Sequence, residues 1–224
     1  VSCNLKCIHC RASAVESRSP GELDLDQSRE LLKQIASSAK PVVVLSGGEP
    51  LVRADILDIA RCGTDLGLRM VLATNGTLVD DKIARGMVDA GIQRVSISLD
   101  GADAATHDAF RGLTGSFDDA LGGIERCKSA EMPVQINTTV AKHNIGQLPR
   151  ILDLATSLGA VALHVFLLVP TGCGKEISGR EMITSAQYEE VLNWLYDAAR
   201  TAGINLKATC APHYFRIMRQ RAAE

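Results

Sequence analysis

The sequence predicts an α/β fold with parallel strands, and three observations carry that reading. Near-continuous apolar runs alternate with amphipathic stretches, as they do when both faces of a sheet are covered by helices. The units recur every roughly 25–40 residues, the size of a βα repeat. Residues with chemical potential follow the C-terminal ends of several different runs. A doubly wound dinucleotide-binding sheet would show a G-x-G-x-x-G turn after its first strand, and none is present. Distribution over several βα loops is the pattern of a barrel, whose loops build one site together.

The elements follow in order. Residues 25–38 read as a helix with Leu31, Leu32 and Ile35 on one side and Asp24 or Asp26 as its cap. The run 41–46 (PVVVLS) reads as a buried strand, as do 69–74 (RMVLAT), 94–100 (RVSISLD), 134–140 (VQINTTV) and 161–169 (VALHVFLLV). Helices are expected over 54–66, 80–90, 117–130, 146–158 and 185–202. Gly67, Gly91 and Gly159 sit where helices should stop.

Bulk properties exclude several classes. The chain has 224 residues, 46% of them hydrophobic, enough for one sizeable core. Its 24 basic and 26 acidic residues are mixed along the chain, so no basic stretch predicts a nucleic-acid partner. The longest apolar run, 161–169, is too short to span a bilayer, and no signal peptide is visible, so no membrane partner is expected. Seven cysteines form a poor disulfide framework: Cys3, Cys7 and Cys10 cluster, while Cys62, Cys127, Cys173 and Cys210 are scattered. Metal or cluster binding in a reducing, cytoplasmic compartment explains them better. Cys62 and Cys127 fall on expected helices and read as core residues. The opening Val1-Ser2-Cys3, without an initiator Met, is read as the start of a piece of a longer protein whose first strand is largely truncated.

Residues 3–10 (CNLKCIHC) have the form C-x3-C-x2-C. Thiolates bind iron strongly, and three of them hold a cubane with one iron open. Spacing alone also allows zinc, or plain buried thiols on a helix face. The other loops are less specific one by one. Gly47 and Gly48 permit close backbone approach before Glu49, an acceptor near a helix start. Thr74-Asn75-Gly76 reads as a turn. Ser96 and Ser98 alternate with Ile97 and Leu99 before Asp100, so the serines face the interior of a barrel if the aliphatics face helices. Arg111 could pair with Asp108 at the surface. Asn137 and Thr139 share one face of a strand.

Taken together, Cys3, Cys7, Cys10 and the Gly47-Gly48-Glu49-Pro50 loop resemble the radical S-adenosylmethionine superfamily. The resemblance implies a partial (β/α)6 TIM-like barrel with the signature loop after its first strand. It implies a [4Fe–4S] cluster on Cys3, Cys7 and Cys10, and bound S-adenosylmethionine. That cofactor is reductively cleaved to a 5′-deoxyadenosyl radical, which takes a hydrogen from the substrate. His9 stands where the family has an aromatic residue near the adenine. Gly47, Gly48 and Glu49 match the motif that accepts the cofactor's amino group. Thr74 and Asn75 match a pocket-lining loop, and Ser98 and Asp100 resemble positions at the ribose or carboxylate. Arg111, within His107-Asp108-Ala109-Phe110-Arg111-Gly112, resembles the arginine that pairs with the methionine carboxylate. Asn137, Thr139, Leu168 and Val169 are assigned to the same pocket.

Residues 169–176 (VPTGCGKE) and 209–214 (TCAPHY) resemble a narrower group, the SPASM/twitch branch containing haem-biosynthesis enzymes that trim side chains of iron tetrapyrroles. That likeness implies a tetrapyrrole substrate and a ferredoxin- or flavodoxin-type electron donor. It implies a core over 1–204 and, over 205–224, the start of a truncated extension carrying an auxiliary iron–sulfur cluster with Cys210 as a ligand. Cys173 stands where the branch often has Arg and is not expected to ligate. Arg53 and Lys175 are candidate partners for substrate carboxylates. A peptide maturase is the alternative within the superfamily; a non-catalytic iron–sulfur or zinc protein is the alternative outside it.

Overall fold

The fold is taken from a computed structural model that describes residues 1–17 and 20–223; Glu224, the last residue of the expected extension, lies outside them. The chain divides into two compact units. One comprises Val1–Lys6, Ala12–Ser98 and Asp118–Val134; the other comprises Cys7–Arg11, Leu99–Phe117 and Gln135–Glu224.

In the first unit, Asp24 caps α1 (Leu25–Ser38). Its carboxylate accepts from Gln27 N at 2.8 Å, and Gln27 Oε1 accepts from Asp24 N at 3.0 Å, a reciprocal capping box. The buried stripe of α1 runs through Leu25, Ser28, Leu32 and Ile35 at helical spacing. Leu31, expected on that stripe, is 46% exposed, because one residue of helix rotates it about 100° away from Leu32. β1 (Val42–Leu45), β2 (Arg69–Thr74) and β3 (Val95–Ser98) pair in parallel, with Val42 opposite Arg69 and Leu72 opposite Val95. β1 is not the buried strand expected from its composition: Val42 and Val44 are exposed, and only alternate residues turn inward. α2 (Ile56–Asp65) and α3 (Asp81–Asp89) connect the strands and end at Gly67 and Gly91, both left-handed as expected.

In the second unit, α4 (Ala104–Arg111) is capped by Asp103 and ends at left-handed Gly112. α5 (Ser116–Ser129) follows, and from Asp118 onward it belongs to the first unit. β4 (Val134–Val140), β5 (Ala162–Leu167) and β6 (Asn205–Thr209) again pair in parallel and in chain order. α6 (Leu148–Ser157), α7 (Gly174–Glu181), α8 (Ser185–Ala199) and α9 (Tyr214–Arg221) complete the unit. Ile136, Leu163, Val165, Leu192 and Leu195 are fully buried and form its core.

The α/β alternation with parallel strands is thus as predicted. Four elements were not expected. α4 and α9 are eight-residue helices, and α7 opens on a Pro-, Gly-rich stretch that reads as loop. β6 (NLKAT) contains Asn and Lys, poor strand formers. The boundary expected at 204/205 falls between α8 and β6. Cys127 is fully buried and Cys62 packs beside the Leu32 cluster, so both are core residues. No helix among the described residues is long and apolar enough to cross a membrane.

Candidate active site

In the first unit, Glu49 organises the loops after β1 and β2. The Glu49 amide donates to Ser2 O at 2.9 Å, bringing its loop against the segment that carries Cys3. A Cβ on Gly48 would stand 2.0 Å from Ser2 O and 3.0 Å from Cys3 Cβ, so only glycine permits this approach. Gly47 beside it faces open space. The Glu49 carboxylate is 2% exposed; it accepts from Thr74 Oγ1 at 2.7 Å, Asn75 N at 2.7 Å and Leu51 N at 3.0 Å. Asn75 in turn donates through Nδ2 to Asn4 Oδ1 at 2.8 Å, and Asn4 donates to Thr77 Oγ1 at 2.8 Å. Glu49, Thr74 and Asn75 are therefore brought together, and they fasten the turn after β2 to the N-terminal segment. Ser98, the last residue of β3, is half-buried.

In the second unit the hub is Asp100, which has no solvent exposure. Its Oδ1 accepts from Thr139 N at 2.7 Å, and its Oδ2 lies 2.7 Å from Arg111 Nη2 and 3.5 Å from His9 Nε2. Its amide donates to His107 Nδ1 at 3.1 Å, and its carbonyl accepts from Asn144 Nδ2 at 2.9 Å. Burial would raise this carboxyl, but the Arg111 cation, the two histidines and the Thr139 amide hold it below its ordinary range. Burial likewise opposes the Arg111 charge, and Asp100 and Cys7 more than offset it. Arg111 Nη1 stands 3.8 Å from Cys7 Sγ. Asp108 does not take part: it accepts from Gly115 N, Ser116 Oγ and Phe117 N at 2.6–2.9 Å and caps α5, so the alternative Arg111–Asp108 surface pair is not formed.

Phe110 holds the cysteine segment from below. His9 stacks on its ring at 3.9 Å and 7°, and His143 stacks on Phe110 as well, at 4.0 Å and 27°. The Phe110 carbonyl accepts from Ile8 N at 3.1 Å. Burial, aided by Arg111, lowers the His9 pKa to about 4, so the ring is neutral at pH 7. On the other side Cys173 N donates to Cys10 O at 2.9 Å. Leu168 packs with Phe110, Ala141 and Ile177, whereas Val169 is exposed. Asn137 accepts from Gln135 Nε2 at 2.7 Å.

Sequence reasoning missed Phe110 and His143 as site residues, and treated His107 only as part of a motif. Their rings come from three separated segments, His9, Phe110 and His143, so no local run of sequence signals the stack. Arg53, expected as a carboxylate partner, is already engaged: Asp55 accepts from its Nε at 2.5 Å and Nη2 at 2.9 Å, and Leu23 O accepts from Nη1 at 2.8 Å. A guanidinium so paired offers no fork to a second carboxylate. Lys175 lies exposed on α7. Cys210 is exposed, with a left-handed φ of 59°, immediately after β6.

Each unit offers donors of the kinds that iron–sulfur clusters and polar organic cofactors take. Cys3, Cys7 and Cys10 are partly exposed, and a cation beside Cys7 suits a thiolate. Arg111 Nε and His9 Nδ1 are buried without a hydrogen-bond partner among the described residues, an arrangement that calls for a ligand. The profile of the Radical SAM superfamily matches residues 1–155. The chain belongs to that superfamily. S-adenosylmethionine and a [4Fe–4S] cluster are the cofactors of that superfamily.

Among relatives, it is 52% identical over 220 residues to the AdoMet-dependent heme synthase of Methanosarcina barkeri, covering 98% of this chain and 62% of that protein. It is 36% identical over 180 residues to the Fe-coproporphyrin III synthase of the same organism, covering 80% of this chain and 45% of that one. Its fold is similar to that of Streptococcus suis SuiB bound to precursor peptide SuiA, with a TM-score of 0.73, 17% identity, and coverage of 98% and 49%. That likeness shows the fold: an α/β partial TIM-like barrel of parallel strands, as expected. The chain spans about three fifths of the length of its first curated relatives, 62%, 57% and 60%.

Proposed function

We propose that the chain is the core of a cytoplasmic radical S-adenosylmethionine enzyme of haem biosynthesis, which decarboxylates or trims acidic side chains of an iron tetrapyrrole. The observation that carries this reading is the 52% identity, across nearly the whole chain, to a haem synthase. A peptide maturase would rest on 33% identity over 195 residues to the mycofactocin maturase MftC of Mycobacterium ulcerans, well below the 52% to the haem synthase.

When bound, the cluster and S-adenosylmethionine supply one-electron reductive cleavage and hydrogen-atom abstraction. In this reading Cys3, Cys7 and Cys10 hold the cluster and leave one iron for the cofactor. Arg111, held by Asp100, turns its remaining donor toward the methionine carboxylate. Gly47, Gly48 and Glu49, with Thr74 and Asn75, form the wall that receives the amino group. His9, Ser98, Asp100, Asn137, Thr139, Leu168 and Val169 surround the adenosine. The core spans 1–204, and 205–224 begins an extension in which Cys210 ligates an auxiliary cluster of the full-length protein. A ferredoxin- or flavodoxin-type protein delivers the electron.

The test is anaerobic reconstitution of the full-length protein with iron and sulfide, then dithionite reduction with S-adenosylmethionine and quantification of 5′-deoxyadenosine. Product is expected from the wild type and absent from Cys3→Ala, Cys7→Ala and Cys10→Ala. A complete cluster spectrum with no cleavage would overturn the reading.

A further inference from the structure

Three contacts of the second unit fix the Arg111 guanidinium beside the cysteine segment. Its Nη2 lies 2.7 Å from Asp100 Oδ2, and Asp100 is itself held, because Oδ1 accepts from Thr139 N at 2.7 Å. Its Nη1 donates to Cys7 Sγ at 3.8 Å. The carbonyl of the preceding residue, Phe110, accepts from Ile8 N at 3.1 Å. Backbone and side chain therefore both tie the end of α4 to the residues around Cys7, and the cation has no free rotation away from that sulfur.

Its position decides what this cation does. Arg111 is 9% exposed, so salt and water screen its charge little. A thiolate that ligates iron still accepts hydrogen bonds, and net charge and hydrogen bonds at the cysteine sulfurs set the potential of an iron–sulfur cluster. Reduction moves a single electron from the reductant to the cluster, with no bond made or broken in the protein, and the cluster gains one negative charge. A fixed cation stabilises that reduced form more than the oxidised one, and a fixed anion does the reverse. Asp100 thus has two opposed effects: it holds Arg111 in place, and it offsets part of the Arg111 charge.

We propose that Arg111 raises the reduction potential of the cluster that Cys7 helps to hold, and that Asp100 is the positioning residue that clamps and moderates it. This rests on the cluster reading above. It gives Arg111 a task in electron uptake that precedes any contact with the cofactor carboxylate.

The test reconstitutes the full-length protein anaerobically with iron and sulfide and titrates it with dithionite against redox mediators, without S-adenosylmethionine. The reduced cluster is read by electron paramagnetic resonance, as the signal that the triple variant Cys3→Ala, Cys7→Ala, Cys10→Ala lacks. Arg111→Gln is expected to make reduction about tenfold less favourable, a potential about 59 mV more negative for a one-electron couple. Arg111→Lys, which keeps a cation opposite Asp100, should stay closer to the wild type. Asp100→Asn, which removes the offsetting anion, should shift the potential the other way. Loosened packing alone would shift Arg111→Gln and Asp100→Asn in the same direction. Shifts of one sign in those two variants, or equal potentials in Arg111→Gln and Arg111→Lys, overturn the assignment and leave the cluster reading standing. A wild type without any signal that depends on the three cysteines overturns both.

Discussion

Asp100 shows how one buried carboxylate can organise a site. It sits against one cation, two imidazoles and a backbone amide, so its charge is compensated from several directions. Removing such a partner from a buried pair costs about 3–5 kcal/mol, which explains why a single aspartate can hold Arg111 rigid beside Cys7. His107 belongs to the same network, and its Nδ1 can accept the Asp100 amide only while unprotonated. Burial, then Arg111, lowers its pKa from 6.5 to about 4. The unfolded chain therefore binds the extra proton first. The stabilisation is complete above about pH 6.5 and is lost as pH falls through about 4, amounting to about 3 kcal/mol. Urea unfolding at a series of pH values should show stability rising with pH across that window, less steeply in His107→Gln. An unchanged slope in the variant would assign the effect elsewhere.

At the scale of elements, the cysteine segment depends on glycine. Gly172, before α7, has a φ of 55°, and a Cβ there would lie 2.4 Å from both Cys10 O and Arg11 O. Backbone cannot yield as a side-chain end can, so Gly172→Ala should destabilise by about 2–4 kcal/mol. Gly179, inside α7, has nothing within 4 Å, so Gly179→Ala should stabilise by up to about 1 kcal/mol. Chemical denaturation of the two variants provides the comparison. These elements also mark how far sequence could reach. Local patterns sufficed for the five apolar runs, the Asp24 cap and the cysteine motif with its Gly47-Gly48-Glu49 loop. They did not suffice for β6, whose Asn205 and Lys207 argue against a strand until β5 supplies a ladder, or for α7, whose opening glycines read as loop until the Cys10 carbonyl receives the Cys173 amide. Arg111 is buried and pairs with Asp100, not with the Asp108 weighed as a surface alternative: Asp108 is nearer in sequence, Asp100 in space. The Phe110 stack, joining rings from three separated segments, has no local signature at all.

For the molecule as a whole, the seven cysteines divide by environment. Cys127 is fully buried, and burial pushes its thiol up to about 11, whereas Cys210 is exposed after β6. Alkylation follows thiolate and access. In the native protein without cluster, iodoacetamide should modify Cys210 readily and Cys127 only after unfolding, as read by peptide mass spectrometry. Early labelling of Cys127 would contradict the packing of α5. The fastening of Cys7–Cys10 to Phe110, Arg111 and Cys173 also sets an order of events during translation. Residue 10 leaves the ribosome first, but its last anchor is synthesised 163 residues later (173 − 10), about 10–30 s at ordinary elongation rates. Throughout that interval the Cys7–Cys10 segment lacks its hydrogen bond to residue 173, so this contact forms only after the loop before α7 has been made.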